Sequence, residues 1–581
     1  MIKVTNLSYG FPQKDLYDKI SFSLENGDHC AFIGTSGTGK STLADILMNP
    51  EEYLYDGKIE IEPNCKIGYV SQFAQIDEDE KEDVTVFNYL SETFVKLQDK
   101  ITEICEVMGT ASDLDALMEK YQQVLETFEA MDGDNYETNI MKKLSVANLE
   151  KHADLPIAKL SGGEFKLLQV IREMLSAPNV LIMDEPDVFL DFEHLNSLRN
   201  LIKSHKGILL VITHNRYLLN HCFNKIIHLE NKELQEFTGS YIEYNFMLLQ
   251  NKIELQEQSV ADTLEIQRNQ DIVNRMRKDA TIHTSAAKGR SLHARVSLLE
   301  RLEARRVKEP FVDIKQPEIK LVNQNEIEEI TAIKVSDYSI GFVHPLLEHV
   351  SFEIKSTDKV ALIGANGTGK TTLLKAIYDH TDNAVEIGEG VEMAFLSQNQ
   401  SQMLNESNSV LNEFLDAGFE NKDAVLAHLT AYGLEEEHLT QKIASLSGGE
   451  KNLLQLAKVS ISNANLLLLD EPTSHLDTYA QAALEQAMTD YNGAILMISH
   501  DFYSIANCMD YVLFIEDKGI RRMSIRKFRK MIYDKHFEKD YLLLEQEKKE
   551  VELKITAALK KTDFEQAKLL TEQLETIIRK L

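Results

Sequence analysis

The chain has 581 residues, of which 43% are hydrophobic and 27% charged, a composition typical of a globular protein with several domains. No apolar run reaches the roughly 18 residues of a membrane span, and the N-terminus lacks the pattern of a secretory signal, so we expect a cytoplasmic protein without a membrane span. The five cysteines form no CxxC pair, so we expect no zinc site. The formal net charge of −31 predicts repulsion from nucleic acid unless the basic residues are clustered.

The first motif along the chain is the glycine-rich loop GTSGTGKST at residues 34–42. An apolar stretch, HCAFIG, precedes it and TLADILM follows, which predicts a strand before the loop and a helix after it. Backbone N–H groups of a GxxxxGK[ST] loop wrap nucleotide phosphates, while the lysine reaches the β- and γ-phosphates and the hydroxyl ligates Mg²⁺. The residues predicted to bind nucleotide here are Gly34, Ser36, Gly37, Thr38, Gly39, Lys40, Ser41 and Thr42.

Apolar residues then recur at helical spacing over roughly residues 76–150, and LSGGE follows at 160–164. A further apolar stretch ends at Asp184 and Glu185, and the carboxyl end of a parallel strand faces the ligand in such sheets. We expect Asp184 to hold Mg²⁺ through water and Glu185 to accept a proton from the attacking water. His214, at the end of the stretch ILLVITH, is predicted to contact the γ-phosphate.

All of these motifs occur a second time. GANGTGKTT at 364–372 lies 330 residues after the first loop, while LSGGE at 446–450, LLLDEP at 467–472 and ISHD at 498–501 each lie 286 residues after their first copies. The distance between the P-loop and LSGGE is therefore longer in the first copy than in the second, so the first copy carries an insertion at about 76–150. We therefore predict two homologous domains, residues 1–243 and 330–517. The second set of nucleotide-binding, catalytic and metal residues is Gly364, Asn366, Gly367, Thr368, Gly369, Lys370, Thr371, Thr372, Asp470, Glu471 and His500.

The remaining segments predict helices. Residues 244–329 form a charged interdomain linker, and within 245–310 Gly289 and Pro310 are the only helix breakers, which favours two long helices. Residues 518–581 comprise a basic segment and a helical hairpin, in which apolar residues from Ala567 to Leu581 follow a coiled-coil spacing and Thr562 with Glu565 predicts a capping box. The predicted fold class is α/β: two P-loop domains joined by a helical-hairpin linker, with a C-terminal helical hairpin.

Two segments concentrate positive charge. The window 275–308 contains ten basic and three acidic residues, and 518–539 contains nine basic and two acidic residues, so each carries +7 in an acidic chain. Such clusters would bind phosphates while the acidic body is repelled from them. The alternative is a solvated helix face in each case.

In each copy the motifs occur in the same order: P-loop, glutamine, LSGGE, an apolar stretch ending in DEP, and histidine. Over residues 1–240 and 330–515 this order resembles an ATP-binding cassette (ABC) domain. The resemblance implies two cassettes that sandwich two ATP molecules head to tail within a monomer, so that each site borrows the signature of the other cassette. Site one would then combine Lys40, Ser41, Gln72, Asp184, Glu185 and His214 with Ser447, Gly448 and Gly449. Site two would combine Lys370, Thr371, Gln398, Asp470, Glu471 and His500 with Ser161, Gly162 and Gly163. The implied Mg²⁺ ligands are Ser41, Gln72, Asp184, Thr371, Gln398 and Asp470.

Adenine usually stacks on an aromatic residue before the P-loop in this family. Phe11 and Phe342 lie in matching contexts, with Tyr9 as the alternative in the first copy and ordinary core packing as the alternative role. The first copy departs from the family pattern after Glu185, because DEPDVFLD replaces the DEPTSHLD of the second copy. This departure puts in doubt the local interface of the first cassette with the opposite site.

Three further features resemble the ABC-F class of these proteins: the sequence DEPTSHLD, the stretch GSYIEY at 239–244 and the long charged linker. That resemblance implies an ATPase that binds the ribosome, with contacts to rRNA and tRNA through 275–308 and 518–539, and that closes with ATP and reopens after hydrolysis. It leaves open a general translation factor or one that protects the ribosome from antibiotics. Two other classes remain as alternatives, a tandem ATP-binding subunit of an ABC transporter and a DNA-acting ATPase.

Overall fold

The computed structural model describes residues 1–11, 14–63, 65–72, 84–108, 114–188, 190–282, 286–305, 317–321, 323, 330–341, 344–380, 382–536 and 541–581. The chain divides into two compact units. One comprises residues 1–238 and 315–532, and the other comprises residues 239–314 and 533–581.

The first cassette is built on a mostly parallel six-stranded sheet. The strands Val180–Asp184 and Ile208–Ile212 are buried along their whole length, as expected for parallel strands covered on both faces. Because the strands are parallel, the ends of His29–Ile33, Val180–Asp184 and Ile208–Ile212 lie at one edge of the sheet, which places the predicted site residues together. The strand order is Ile67–Val70, Val180–Asp184, Ile208–Ile212, His29–Ile33, Lys225–Glu230 and the antiparallel edge strand Glu233–Thr238.

A three-stranded antiparallel sheet, Lys14–Leu24, Ile2–Phe11 and Asp56–Ile61, completes the strands of this cassette. One core of buried apolar residues joins it to the six-stranded sheet, since Val4, Phe22 and Leu24 pack in the same cluster as Phe32 and Leu210. Three α-helices lie within the described part of residues 76–150. The helices are Lys40–Met48, Val86–Met108, Leu114–Ala130, Tyr136–Val146, Gly162–Leu175, Phe192–Ser204 and Arg216–Cys222.

The second cassette repeats this plan. Its six-stranded sheet has the order Met393–Leu396, Leu466–Asp470, Ala494–Ile498, Lys359–Ile363, Tyr511–Glu516 and Gly519–Ser524, and its smaller sheet has the order Pro345–Lys355, Thr331–Gly341 and Val385–Ile387. The helices are Lys370–Asp379, Val410–Asp416, Lys422–Thr430, Glu436–Leu439, Gly448–Ser460, Thr478–Asp490, Phe502–Cys508 and Ile525–His536. The matching strand orders confirm the predicted pair of P-loop cassettes.

The other unit contains two helical hairpins. The linker helices are Tyr241–Ile282 and Ala286–Arg305, and the C-terminal helices are Tyr541–Lys560 and Phe564–Ile578. Ala567, Leu570 and Leu574 of the predicted seam are buried together with Ile555 and with Ile253 of the first linker helix. The linker hairpin and the C-terminal hairpin therefore share a core.

The predicted capping box at the last helix was wrong. Asp563 is the N-cap, and its carboxylate accepts a hydrogen bond from the backbone N–H of Gln566. Thr562 has a positive φ of 56°, and its hydroxyl donates to the carbonyl of Lys561. The short aspartate side chain reaches the free N–H groups of the first turn, which is the usual function of an N-cap residue.

Across the part of the chain that the structure describes, every helix is too short or too polar to span a bilayer.

Candidate active site

The two P-loops hold their lysines in the same way. Lys40 Nζ donates to the carbonyl oxygens of Gly34 at 2.9 Å and Thr35 at 2.8 Å, and Lys370 Nζ donates to Gly364 at 2.8 Å and Ala365 at 2.9 Å. Both lysines are buried, which lowers the pKa of each amine although nearby carboxylates oppose the shift. Each ammonium group is thus positioned inside its loop, where it would meet the phosphates of a nucleotide.

Close packing explains the glycines of the first loop. A Cβ on Gly34 would lie 2.2 Å from the carbonyl oxygen of Leu229, and Gly39 has a φ of 95° at the start of the helix Lys40–Met48. Side chains at these positions would clash or strain the backbone. The hydroxyls of Thr38 and Thr368 brace the two loops, since each donates at 2.9 Å to a carbonyl three residues earlier.

Each signature motif caps a helix. Ser161 is the N-cap of Gly162–Leu175 and Ser447 is the N-cap of Gly448–Ser460, and both form capping boxes, with Glu164 and Glu450 respectively. The N-terminus of a helix presents unpaired N–H groups and a partial positive charge, which attract phosphate. The capped helix N-termini at the two signatures are therefore compatible with a contact to nucleotide.

The first P-loop lies against the second signature. Ser36 Oγ and Ser447 Oγ are 3.1 Å apart, and the backbone N–H of Ser36 donates to Asp477 at 3.3 Å. A Cβ on Gly449 would lie 2.6 Å from Ser36 Oγ, so only glycine permits this approach. The structure therefore brings together residues of site one that are more than 400 positions apart in the sequence.

The second P-loop faces the first signature across a cavity of about 590 Å³. Asp191 accepts a hydrogen bond at 3.4 Å from the backbone N–H of Asn366, in the same way that Asp477 accepts one from Ser36. The predicted site residues that line the cavity are Ser161, Gly162, Gly163, Asn366, Gly367, Gly369, Lys370, Thr371, Thr372, Gln398, Asp470, Glu471 and His500, and Glu185 and His214 also reach it.

The aspartates at the strand ends suit a divalent cation. Burial raises the pKa of Asp184 to about 6, although the Ser41 hydroxyl opposes this rise, and burial also raises the pKa of Asp470, where Thr371 opposes it. Both carboxylate oxygens of Asp470 are buried and make no hydrogen bond of normal geometry within the described residues. Oxygen donors from carboxylate and hydroxyl groups are what Mg²⁺ prefers, so these residues fit the ion.

The two glutamates have different surroundings. The Gln72 amide donates to Glu185 Oε2 at 2.5 Å, and His475 Nδ1 of the second cassette lies 3.0 Å from the same oxygen. Burial tends to raise the pKa of Glu185, but the hydrogen bond and charge of His475 lower it to about 2. Glu471 accepts from the backbone N–H of His500 at 3.2 Å, and burial together with the Asp470 carboxylate raises its pKa to about 8.

The two predicted γ-phosphate histidines are buried. Burial, reinforced by the neighbouring P-loop lysine in each case, lowers the pKa of His214 and of His500 to about 3. His500 Nε2 lies 3.6 Å from the carboxylate of Glu471. Both rings are therefore neutral near pH 7, and each has one N–H to donate.

The aromatic residues before the P-loops lie in different environments. Phe11 is 50% exposed and its ring contacts Tyr9 from one side, whereas Tyr9 also packs against Tyr17 and Tyr53. This arrangement leaves Phe11 more accessible to a base than Tyr9. Phe342 lies outside the described residues.

The sequence reasoning missed residues that cross between the cassettes, among them Arg216 and His475. Arg216 of the first cassette donates to Glu485 at 2.5 Å and to Asp501 at 2.6 Å in the second. His475 reaches Glu185, and its place in DEPTSHLD was the one available signal. Nothing in the local pattern around Arg216 indicates its distant partners.

A family model described as ABC transporter matches residues 17–188 and 347–474, about half of the chain. The chain is 29% identical to the uncharacterised ABC transporter ATP-binding protein YfmM of Bacillus subtilis, over 87% of this chain and 96% of that protein. It is 26% identical to ABC transporter F family member 5 of Arabidopsis thaliana, over 89% of this chain and 75% of that protein. It is 27% identical to the energy-dependent translational throttle protein EttA of Escherichia coli, over 87% of this chain and 90% of that protein.

Among solved structures, the archaeal ribosome recycling factor aABCE1, crystallised with the ribosomal stalk protein aP1, has a similar fold. The TM-score is 0.52 at 17% identity, and the match covers 92% of each chain. Tandem cassettes with paired P-loops and signatures, together with these relatives, show that the chain belongs to the ABC-F family of ATP-binding cassette proteins and is an ATP-hydrolysing enzyme.

Proposed function

We propose that this ATPase binds the ribosome in its ATP-bound form and leaves it after hydrolysis, and thereby modulates translation. The observation that carries the proposal is the exposure of basic side chains in the described parts of 275–308 and 518–539, on a chain with a net charge of −31. A relative named as a translational throttle protein supports the ribosome as the source of the phosphates.

The linker contributes the first segment. Its helix Tyr241–Ile282 has 42 residues, which gives a length of about 63 Å at roughly 1.5 Å per residue. Such a helix is long enough to reach into a cleft of a large RNA particle. The basic residues exposed on the two linker helices include Arg275, Arg277, Arg290, Arg301 and Arg305.

The second positively charged segment is 518–539. Phe528 is fully buried and anchors the helix Ile525–His536 through ring contacts with Phe502 and Phe192. This anchoring leaves Arg526, Lys527 and Lys530 exposed, next to Arg521 and Arg522 of the edge strand Gly519–Ser524. Cations at these positions would contact phosphates without reading base sequence, as in recognition of RNA by shape.

The proposed chemistry assigns a role to each motif. Lys40 and Lys370 hold the phosphates, Asp184 and Asp470 hold Mg²⁺ with Ser41 and Thr371, and Gln72 and Gln398 complete the metal sites. Glu185 and Glu471 accept the proton of the attacking water, and His214 and His500 donate to the γ-phosphate. Mg²⁺ supplies charge stabilisation at the phosphates when it is bound.

The γ-phosphates would act as the switch because each one bridges two cassettes. A shift from 1:99 to 99:1 between two states needs about 5.5 kcal/mol of differential binding. Hydrogen bonds to charged groups contribute about 1.5–3 kcal/mol each, so a few contacts per γ-phosphate are sufficient. Loss of the γ-phosphate would then weaken the closed state and release the ribosome.

Ribosome pelleting with the Glu185→Gln, Glu471→Gln double variant tests the proposal. These substitutions preserve the shape of the site but remove the carboxylate that accepts the proton, so ATP should remain bound. We expect the variant to sediment with ribosomes in ATP and to stay in the supernatant in ADP. The proposal is wrong if the variant stays in the supernatant with both nucleotides although it binds ATP.

Charge reversal tests the cationic surfaces. We expect Arg526→Glu with Lys527→Glu to reduce sedimentation with ribosomes and to flatten its salt dependence, because phosphate contacts release counterions. Lys3→Glu with Lys100→Glu, at exposed positions outside both segments of the sequence, is the matched control and should behave like the parent. Equal effects of the two pairs would show that overall charge is responsible.

A finer role, protection of the ribosome from antibiotics, is a separate proposal. It predicts that a sensitive host expressing the chain grows at higher concentrations of a lincosamide, pleuromutilin or phenicol. Unchanged inhibitory concentrations for all three would exclude protection against these drugs but leave a general translation factor.

A further inference from the structure

The segments that follow the two glutamates differ between the cassettes. Since corresponding positions are 286 residues apart, Glu471 corresponds to Glu185, Asp477 to Asp191, and His475 to Phe189. Both aspartates contact the P-loop of the opposite cassette, at 3.3 and 3.4 Å. The histidine, by contrast, is present in the second cassette alone.

His475 is held where it can act on the opposite site. Its backbone has a positive φ of 60°, and its ring packs beside the second signature, because a Cβ on Gly448 would lie 3.1 Å from the ring. Its Nδ1 is 3.0 Å from Glu185 Oε2 and 3.3 Å from the Gln72 amide nitrogen. One side chain therefore connects the signature that faces site one with the glutamate of site one.

Glu185 is consequently held from both cassettes. Gln72 of its own cassette donates to Oε2 at 2.5 Å, and His475 lies against the same oxygen from the other cassette. Two contacts from different directions restrict the rotation of a carboxylate more than one contact does. The orientation of Glu185 thus depends on the closure of the cassettes.

The contacts of Glu471 are different. Its Oε2 accepts from the backbone N–H of His500, in its own cassette, and its buried Oε1 makes no hydrogen bond within the described residues. The residue at the position that matches His475 is a phenylalanine, which has no hydrogen-bonding group. The side chain at this position of the first cassette therefore cannot donate to Glu471 as His475 can to Glu185.

We propose that His475 is a positioning residue for Glu185 in the opposite site, and that the chain consequently has a fast ATP site at Glu185 and a slow one at Glu471. In the reaction, the oxygen of water bonds to the γ-phosphorus, the bond from that phosphorus to the ADP oxygen breaks, and the water proton passes to the glutamate. A carboxylate fixed toward the water makes this transfer more frequent. The proposal rests on the assignment of Glu185 and Glu471 to the two ATP sites and does not depend on the ribosome.

Single-site variants of the full chain test the inequality of the sites. Glu471→Gln leaves site one able to hydrolyse ATP, and Glu185→Gln leaves site two. We expect the turnover number of Glu471→Gln to exceed that of Glu185→Gln by roughly tenfold or more, within the range of a positioned general base. Equal turnover numbers would overturn the proposal.

Substitution of His475 tests the positioning role. In the Glu471→Gln background, His475→Phe should lower kcat by roughly tenfold while KM for ATP changes little, because the histidine acts on the glutamate and not on the nucleotide. His475→Gln, which retains an N–H donor, should restore part of the loss. In the Glu185→Gln background, Phe189→His should raise kcat, the opposite effect.

His205→Phe is the matched control. This half-buried histidine precedes the strand Ile208–Ile212 and so lies at the end of the strand opposite to the site. Binding of a fluorescent ATP analogue shows that each variant is folded. An unchanged kcat in His475→Phe with ATP bound would overturn the positioning role. All rates are measured without ribosomes, so failure here is distinct from failure of the pelleting experiment.

Discussion

Arg216 of the first cassette and Asp501 of the second are joined by a hydrogen bond of 2.6 Å between guanidinium and carboxylate. Glu485 accepts from the same guanidinium, which also lies 4.9 Å from the centre of the Tyr503 ring. Less than a fifth of each charged side chain is exposed. The cassettes are therefore connected by a mostly buried ion-pair network in addition to their nucleotide sites.

Removal of this arginine should loosen the cassettes. We expect Arg216→Met to lower the free energy of unfolding by about 3–5 kcal/mol, because it leaves two mostly buried carboxylates without their cation. Urea unfolding measures the change. Lys422→Met, which breaks the exposed pair with Glu436, is the control and should have no measurable effect. A change in Arg216→Met no larger than in the control would contradict the prediction.

Ser447 should have two separable functions. Ser447→Ala removes an N-cap and should lower the free energy of unfolding by about 1 kcal/mol. Ser409→Ala removes the equivalent cap of Val410–Asp416 at a similar expected cost. Only Ser447→Ala should also reduce the ATPase rate, since Ser447 faces the P-loop at Ser36. Equal ATPase rates in the two variants would show that Ser447 acts only as a cap.

Phe11 and Tyr9 should respond differently to truncation. Phe11→Ala should weaken ATP binding with little change in stability, because the half-exposed ring of Phe11 is the proposed platform for adenine. Tyr9→Ala should lower the free energy of unfolding by about 1–3 kcal/mol through the lost ring contacts with Tyr17 and Tyr53. Titration with an ATP analogue and thermal unfolding measure the two effects. Unchanged affinity in Phe11→Ala would shift the adenine site elsewhere.

The contact between His438 and Glu450 should make stability depend on pH. A hydrogen bond to Glu450 raises the pKa of His438. Burial tends to raise the pKa of Glu450, but hydrogen bonds from His438 and Ser447 lower it to about 2. The histidine contribution is complete below its unfolded pKa of about 6.5 and disappears as pH rises through the higher folded value. The glutamate contribution is complete above its unfolded pKa of about 4.3 and disappears as pH falls toward 2.

We therefore expect the difference in free energy of unfolding between the parent and His438→Gln to be largest between about pH 4.3 and 6.5. Urea unfolding at a series of pH values measures it. A difference that stays constant from pH 5 to pH 9 would show that the ion pair does not contribute.

The C-terminal hairpin should stabilise the linker helix. Leu574→Ala creates a cavity beside Ile253 and Ile555 and should lower the free energy of unfolding of this unit by about 2–5 kcal/mol. Amide hydrogen exchange in Tyr241–Ile282 should then become faster. Leu569→Ala, at a position that is 58% exposed, is the matched control and should leave exchange unchanged. Exchange equally slow in both variants would indicate that the helix does not depend on the hairpin.

The sequence was sufficient for the motifs and for the fold. The loop around Lys40 and the strand ending at Asp184 and Glu185 are local, so residue type and spacing predict them. The loop recurs 330 residues later and the strand 286 residues later, and this repetition predicted the second cassette. The cap at Asp563 was missed by one residue, because Thr562 and Asp563 both have suitable side chains and only the backbone conformation distinguishes them.

The sequence by itself thus determined two ATP-binding cassettes and the order of their motifs, and it supplied the residues that we propose for the phosphate chemistry. Only the tertiary structure decided that His475 lies against Glu185, that Arg216 joins Glu485 and Asp501, and that the two glutamates have different surroundings. The physical reason is distance along the chain. Local conformational preferences place a side chain on its own helix or strand, whereas contacts between residues almost 300 positions apart depend on how two complete sheets pack.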